Sequence, residues 1–77
     1  MADEKSPEGL VEFIAKGIVD NPDDIRVNVR DGSLIELESN AEDRGRVIGR
    51  QGRVAKAMRA VLGASREGAG YRLDIVD

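Results

Sequence analysis

The four residues Gly49-Arg50-Gln51-Gly52 lie between two stretches of helical periodicity, and no other segment constrains this chain as strongly. Glycine admits backbone conformations closed to other residues and lets a ligand approach the main chain. A helix that begins directly after Gly52 aims its unpaired amides and the positive end of its dipole at the same spot, which suits a phosphate. Arg50 and Gln51 project from the turn, one offering charge and the other neutral donors, while Arg53 and Lys56 lie three apart on the first turn beyond it. Such groups hold a nucleic-acid backbone without having to read a base. The same spacing also describes one helix ending and another beginning, so the glycine pair alone leaves both readings open. Gly45 adds weight, because glycine inside a helix costs about 1 kcal/mol relative to alanine. Either that helix packs tightly against a sheet at Gly45, or it keeps room for a nucleotide.

Charge is distributed in support of a polyanionic ligand. The chain has a net charge of -3, but residues 44–66 hold seven of its 12 basic residues (Arg44, Arg46, Arg50, Arg53, Lys56, Arg59 and Arg66) and none of its 15 acidic ones. A local basic surface attracts phosphate, and the acidic remainder opposes indiscriminate adhesion. A run of one sign also describes an ordinary solvated helix face.

The flanking segments read as a small α+β fold. Ser6 is a good helix N-cap, with Pro7 pre-set at the first helical position, and Leu10, Phe13, Ile14, Gly17 and Ile18 form an apolar stripe expected to face the core. Asn21-Pro22 stops that helix. Ile25, Val27 and Val29, then Ile35 and Leu37, alternate with polar residues as two half-buried strands joined at Asp31-Gly32. Arg26 and Arg30 are placed to pair with Glu36 and Glu38 across the exposed face. Asn40 is expected to cap a helix from Ala41 to about Ile48, with Asp43 reaching back in a variant capping box. A third helix follows Gly52, with Val54, Met58, Val61, Leu62 and Ser65 on one side, and ends near Gly68-Ala69-Gly70. Tyr71, Leu73 and Ile75 mark a last strand. The order is helix, strand, strand, helix, helix, strand, with residues 1–5 as a flexible start and 6–77 as one domain.

Chemistry is limited by what is missing. With no cysteine and no histidine, disulfides, thiolate metal sites and the commonest general base are excluded. The dinucleotide fingerprint needs a strand before its glycines, where this chain has a helix, and the lysine and serine or threonine of a P-loop are missing. Neither an enzyme nor a cofactor nor a metal is expected. Apolar runs reach only two or three residues and no secretory signal is legible, so the expected location is the cytosol, with no membrane contact. Aromatic stacking platforms are disfavoured as well, since Phe13 and Tyr71 are the only aromatic residues and both stand at core-phase positions.

The segment Gly45-Arg46-Val47-Ile48-Gly49-Arg50-Gln51-Gly52-Arg53 resembles the signature of KH domains, in which two apolar residues precede a glycine-x-x-glycine loop. The element order is similar to that of type II KH domains over nearly the whole chain, and its size resembles the small bacterial single-KH RNA-binding proteins of the KhpA type. That resemblance implies a three-stranded mixed sheet with three helices on one face, and a groove for about four unpaired nucleotides of single-stranded RNA. Gly49, Arg50, Gln51 and Gly52 would grip the RNA backbone, aided by Arg53 and Lys56. Gly45, Val47 and Ile48, with strand residues around Ile35 and Leu37, would shape the groove. One position departs from the pattern: many KH domains carry a bulky aliphatic residue three places after the second glycine, where this chain has Ala55. The resemblance further implies an RNA chaperone or regulator, linked to cell shape, acting as a homodimer or with a larger KH-containing partner. The alternative is a KH-shaped protein-interaction module that no longer binds RNA.

Overall fold

The computed structural model describes residues 6–76; the expected flexible start, residues 1–5, lies outside the described residues. Helix α1 (Pro7–Ile18) starts where Ser6 Oγ accepts the Gly9 amide at 3.0 Å. Strands β1 (Arg26–Arg30) and β2 (Leu34–Glu38) pair antiparallel, and the Ser33 amide closes their turn onto the Arg30 carbonyl at 3.1 Å. Helices α2 (Arg44–Ile48) and α3 (Arg53–Ala64) follow, and strand β3 (Arg72–Ile75) lies parallel to β2. The sheet order β1-β2-β3 puts β2 in the centre, a mixed sheet of the expected α+β class.

Alternation along the strands decides which face the helices cover. Ile35 and Leu37 of β2 and Leu73 of β3 point inward, against Val11 and Ala15 of α1, Val47 of α2, and Met58 and Leu62 of α3. The other face carries Arg30 paired with Glu36 at 2.8 Å. The Arg30 side chain is largely solvated, so the pair contributes little to stability.

Two helices are rotated from their expected phase. On α1 the core takes Val11 and Ala15, while Phe13 is 60% exposed and Ile18 38% exposed. The apolar residues of α1 wrap so much of its circumference that spacing alone does not choose a side; the smaller Val11 and Ala15 let the helix come close to the sheet. On α3 the inward residues are Ala55, Met58 and Leu62, which leaves Val61 43% exposed. Ala55 is thus buried, 4% exposed, on the face of α3 that carries Met58 and Leu62. In urea unfolding at low protein concentration, Val11→Ala should cost about 2 kcal/mol and Phe13→Ser no more than about 0.5 kcal/mol.

Helix α2 is also shorter than its pattern implies. Residues Ala41–Asp43 form a 3-10 turn before it, and Asn40 caps that turn by accepting the Glu42 amide at 2.9 Å. Helix α3 ends at Ala64 rather than near Gly68, because the Ser65 hydroxyl donates to the Leu62 carbonyl at 3.0 Å and accepts the Gly68 amide at 2.9 Å.

Asp43 closes no capping box. It is 1% exposed and accepts the Asp20 amide at 3.2 Å, the Asn21 amide at 2.9 Å and the Asn21 side-chain amide at 3.0 Å. A five-residue helix is not stable by itself; α2 is seated by this clasp on the turn after α1 and by Val47 in the core. Burial pushes the Asp43 carboxyl up, but the hydrogen bonds from Asn21 and Asp20 and the charge of Arg46 outweigh it and hold the pKa below its ordinary value. The resulting stabilisation is complete above the unfolded-state value of about 3.9 and fades as pH falls through the lower native value. Asp43→Asn is therefore expected to lower the thermal midpoint at neutral pH, since its NH₂ group meets donors. The gap to the parent should shrink below about pH 4 when melting is followed against pH.

Candidate nucleic-acid interface

The turn between α2 and α3 is built from backbone conformations that few residues tolerate. Gly49 has φ 80° and ψ 166°, a region essentially restricted to glycine. A Cβ on Gly49 would stand 2.6 Å from the Val54 backbone nitrogen, so the position is closed sterically as well. Gln51 (φ 56°) and Gly52 (φ 74°) are both left-handed. Gln51 is unusual there, and nothing in its side chain announces it.

These conformations consume part of the donor set that the helix junction offers. The Gly52 amide bonds the Gly49 carbonyl at 3.0 Å, and the Arg53 amide bonds the Arg50 carbonyl. What remains at the positive end of α3 is its dipole, with no side-chain cap, and the side chains around it. Arg53 donates to Gln51 Oε1 at 3.3 Å, which leaves the Gln51 amide nitrogen as a donor. Arg50, Gln51, Arg53 and Lys56 are all exposed. The basic run is therefore thinner than its sequence: Arg46 is committed to Asp20 at 2.9 Å, away from the turn.

The residues before the turn divide by burial. Val47 is completely buried and supports the wall from within, Ile48 is half-buried, and Gly45 is exposed. A Cβ at Gly45 would meet nothing within 4 Å, so no part of the sheet packs there and the face is open. Beyond the turn, α3 has two flanks. Toward α1, Val54, Ala57 and Val61 join Ile14, Met58 and Arg53 around an open apolar groove of about 300 Å³. The opposite flank carries Lys56 and Arg59.

A comparison with protein families matches residues 8–75 to the family described as KhpA/KhpB, KH domain. The chain belongs to this KH family. Among curated proteins, this KH chain is similar to the RNA-binding protein KhpA of Streptomyces coelicolor, at 49% identity over 73 residues covering 91% of each chain. It is similar to the RNA-binding protein KhpA of Halalkalibacterium halodurans, at 51% identity over 73 residues, 88% of this chain and 96% of the relative. The RNA-binding protein KhpA of Mycobacterium tuberculosis H37Rv is 47% identical over 70 residues, 87% of this chain and 86% of its own. No solved structure matches the chain at a significant level.

Within this KH domain, sequence reasoning placed the turn correctly between its helices but missed the left-handed Gln51 and the clasp at Asp43. The residues around Asp43 carry no sequence signal of a partner 22 or 23 residues earlier. Among the described residues no helix is long and apolar enough to cross a membrane, and no cluster of acidic residues is placed to hold a metal ion.

Proposed function

We propose that this chain binds single-stranded RNA by its backbone, with the Gly49–Gly52 turn as the grip. The carrying observation is the pair of constraints on that turn: Gly49 is held against Val54, and Gln51 adopts a left-handed conformation that costs about 1 kcal/mol in a non-glycine residue. Strain of this kind persists where the arrangement is used. The turn presents Arg50 and the Gln51 amide beside the positive end of α3, with Arg53 and Lys56 one turn on. Gly45, Ile48 and the buried Val47 keep the adjoining face open and firm. The names of the curated relatives support RNA as the ligand.

This grip reads phosphate spacing rather than sequence, so affinity of one domain is expected at about 10⁻⁶ to 10⁻⁴ M and to be salt-sensitive. Fluorescence anisotropy with a labelled single-stranded RNA and the same sequence as a duplex tests it. Binding of the single strand alone supports the reading, and equal binding of both refutes it, since the grip needs splayed, unpaired nucleotides. A domain gripping about four nucleotides gains affinity from a second KH unit through effective concentration. A role as an RNA chaperone or regulator in the cytosol, as a homodimer or with a larger KH-containing partner, belongs to the same proposal. It is a binding role, without catalysis. Residues 6–77 would act as one KH domain.

A further inference from the structure

The turn hangs on the end of α2, a helix too short to keep its own place, so whatever orients α2 also orients the turn. The contacts at its start are polar. Asp43, immediately before α2, is 1% exposed, and its carboxylate accepts the Asp20 amide, the Asn21 amide and the Asn21 side-chain amide. Within α2, Arg46 donates to the Asp20 carboxylate at 2.9 Å. Ahead of it, the Asn40 side-chain amide donates to Asp24 at 2.9 Å. The segment after α1 thus holds the run into α2 at Asn40, Asp43 and Arg46. Of these links only that of Asp43 is buried; the exposed ones add little.

The buried link does something that apolar packing does not. Val47 sets how closely α2 approaches the sheet, but an apolar contact tolerates sliding and rotation. Hydrogen bonds are directional, and a fully satisfied buried group fixes one arrangement. Three donors converge on position 43, and an ionised carboxylate, which only accepts, satisfies all of them.

From Asp43 to the turn is a short and stiff path. Helix α2 has five residues, about 7.5 Å of rise, and its Gly49 amide closes onto the Gly45 carbonyl at 2.8 Å. Beyond it there is no slack. Gly49 is held against Val54, the Gly52 amide bonds the Gly49 carbonyl, and α3 is anchored in the core through Met58 and Leu62. A shift at the start of α2 is therefore passed to residues 49–52, where it redirects Arg50 and the left-handed Gln51.

We infer that Asp43 is a positioning residue for RNA binding: its clasp on Asp20 and Asn21 sets the orientation in which α2 presents the Gly49–Gly52 turn to the RNA backbone. The inference rests on the RNA-binding reading above, and adds to it a buried residue on the far side of α2 from the turn.

The experiment compares the parent with Asp43→Asn, Asn21→Ala and Val11→Ala at a temperature where melting curves show each protein folded. Asn21→Ala removes one bond to Asp43 and leaves both backbone amides on the carboxylate, so it decides the matter should Asp43→Asn not fold. Val11→Ala lowers stability through the core and leaves the clasp as it is. Fluorescence anisotropy with a labelled single-stranded RNA reads affinity. Binding should weaken about ten-fold in Asp43→Asn and about three-fold in Asn21→Ala, the size of effect transmitted through neighbouring contacts, and stay at the parent value in Val11→Ala. NMR of the free proteins reads the turn itself: the amide resonances of Gly49, Gln51 and Gly52 should move in both clasp variants and stay in place in Val11→Ala. Affinity that falls as much in Val11→Ala as in the clasp variants, or that is unchanged in all of them, overturns the inference and leaves the backbone grip intact. So do turn resonances that keep their parent positions in both clasp variants. A parent that binds no single-stranded RNA refutes the RNA reading itself, and the inference with it.

Discussion

Changing Arg50 and Gln51 together to aspartate is expected to weaken binding of single-stranded RNA at least about 100-fold, because two charge-assisted contacts worth roughly 3 kcal/mol together become repulsions. Stability should barely change. Both side chains are exposed, and position 51 is left-handed, a conformation that aspartate tolerates better than glutamine. The double change removes the 3.3 Å hydrogen bond from Arg53 to Gln51, which is exposed and adds little to the fold. Anisotropy and thermal unfolding of the same preparation separate the two effects. A KH-shaped module that serves only protein partners would show no RNA binding in either form. A parent and a double variant that bind RNA equally would move the site away from the turn.

Gly49→Ala is expected to damage both fold and function. Alanine there must adopt φ 80° with ψ 166°, and its Cβ would stand 2.6 Å from the Val54 nitrogen. Backbone strain alone costs about 1 to 3 kcal/mol, and the contact with α3 adds to it. The turn can escape only by moving the start of α3, whose dipole is proposed to face the phosphate. RNA affinity should therefore fall even where the chain remains folded. Gly52 provides the contrast. It is left-handed, but a Cβ there meets nothing within 4 Å. Asparagine visits that conformation readily, so Gly52→Asn should cost less than about 1 kcal/mol in urea unfolding. If the two substitutions cost the same, Val54 does not constrain Gly49 as described.

The parts of this protein that were legible in the sequence are those governed by local chemistry. Ser6 and Pro7 start α1, Asn40 caps the turn before α2, and the alternation through Ile35, Leu37 and Leu73 identifies the buried side of the sheet; each depends on neighbours a few residues away. The turn was legible because glycine is the residue such backbones demand. Features set by distant parts of the chain were not. Phe13 reads as core until the sheet selects Val11 and Ala15 instead. Asp43 reads as a capping residue until the turn after α1 folds onto it. Arg59 reads as one more cation in a basic run, because its partner is a main-chain carbonyl 14 residues away that has no sequence signal. Gln51 is hidden for another reason: its conformation is imposed by Gly49 and the start of α3, and glutamine has no preference for it.

The most direct test of a phosphate grip at the turn is the dependence of RNA affinity on salt, measured in parallel for the parent and for Arg50→Asp with Gln51→Asp. For single strands, log K against log salt falls with a slope of about −0.7 for each phosphate neutralised. Three or four contacts therefore predict a parent slope of about −2 to −3, and the double variant should be shallower by at least about one contact. Parallel lines of equal slope would contradict the account, because the turn would then contribute no phosphate contact.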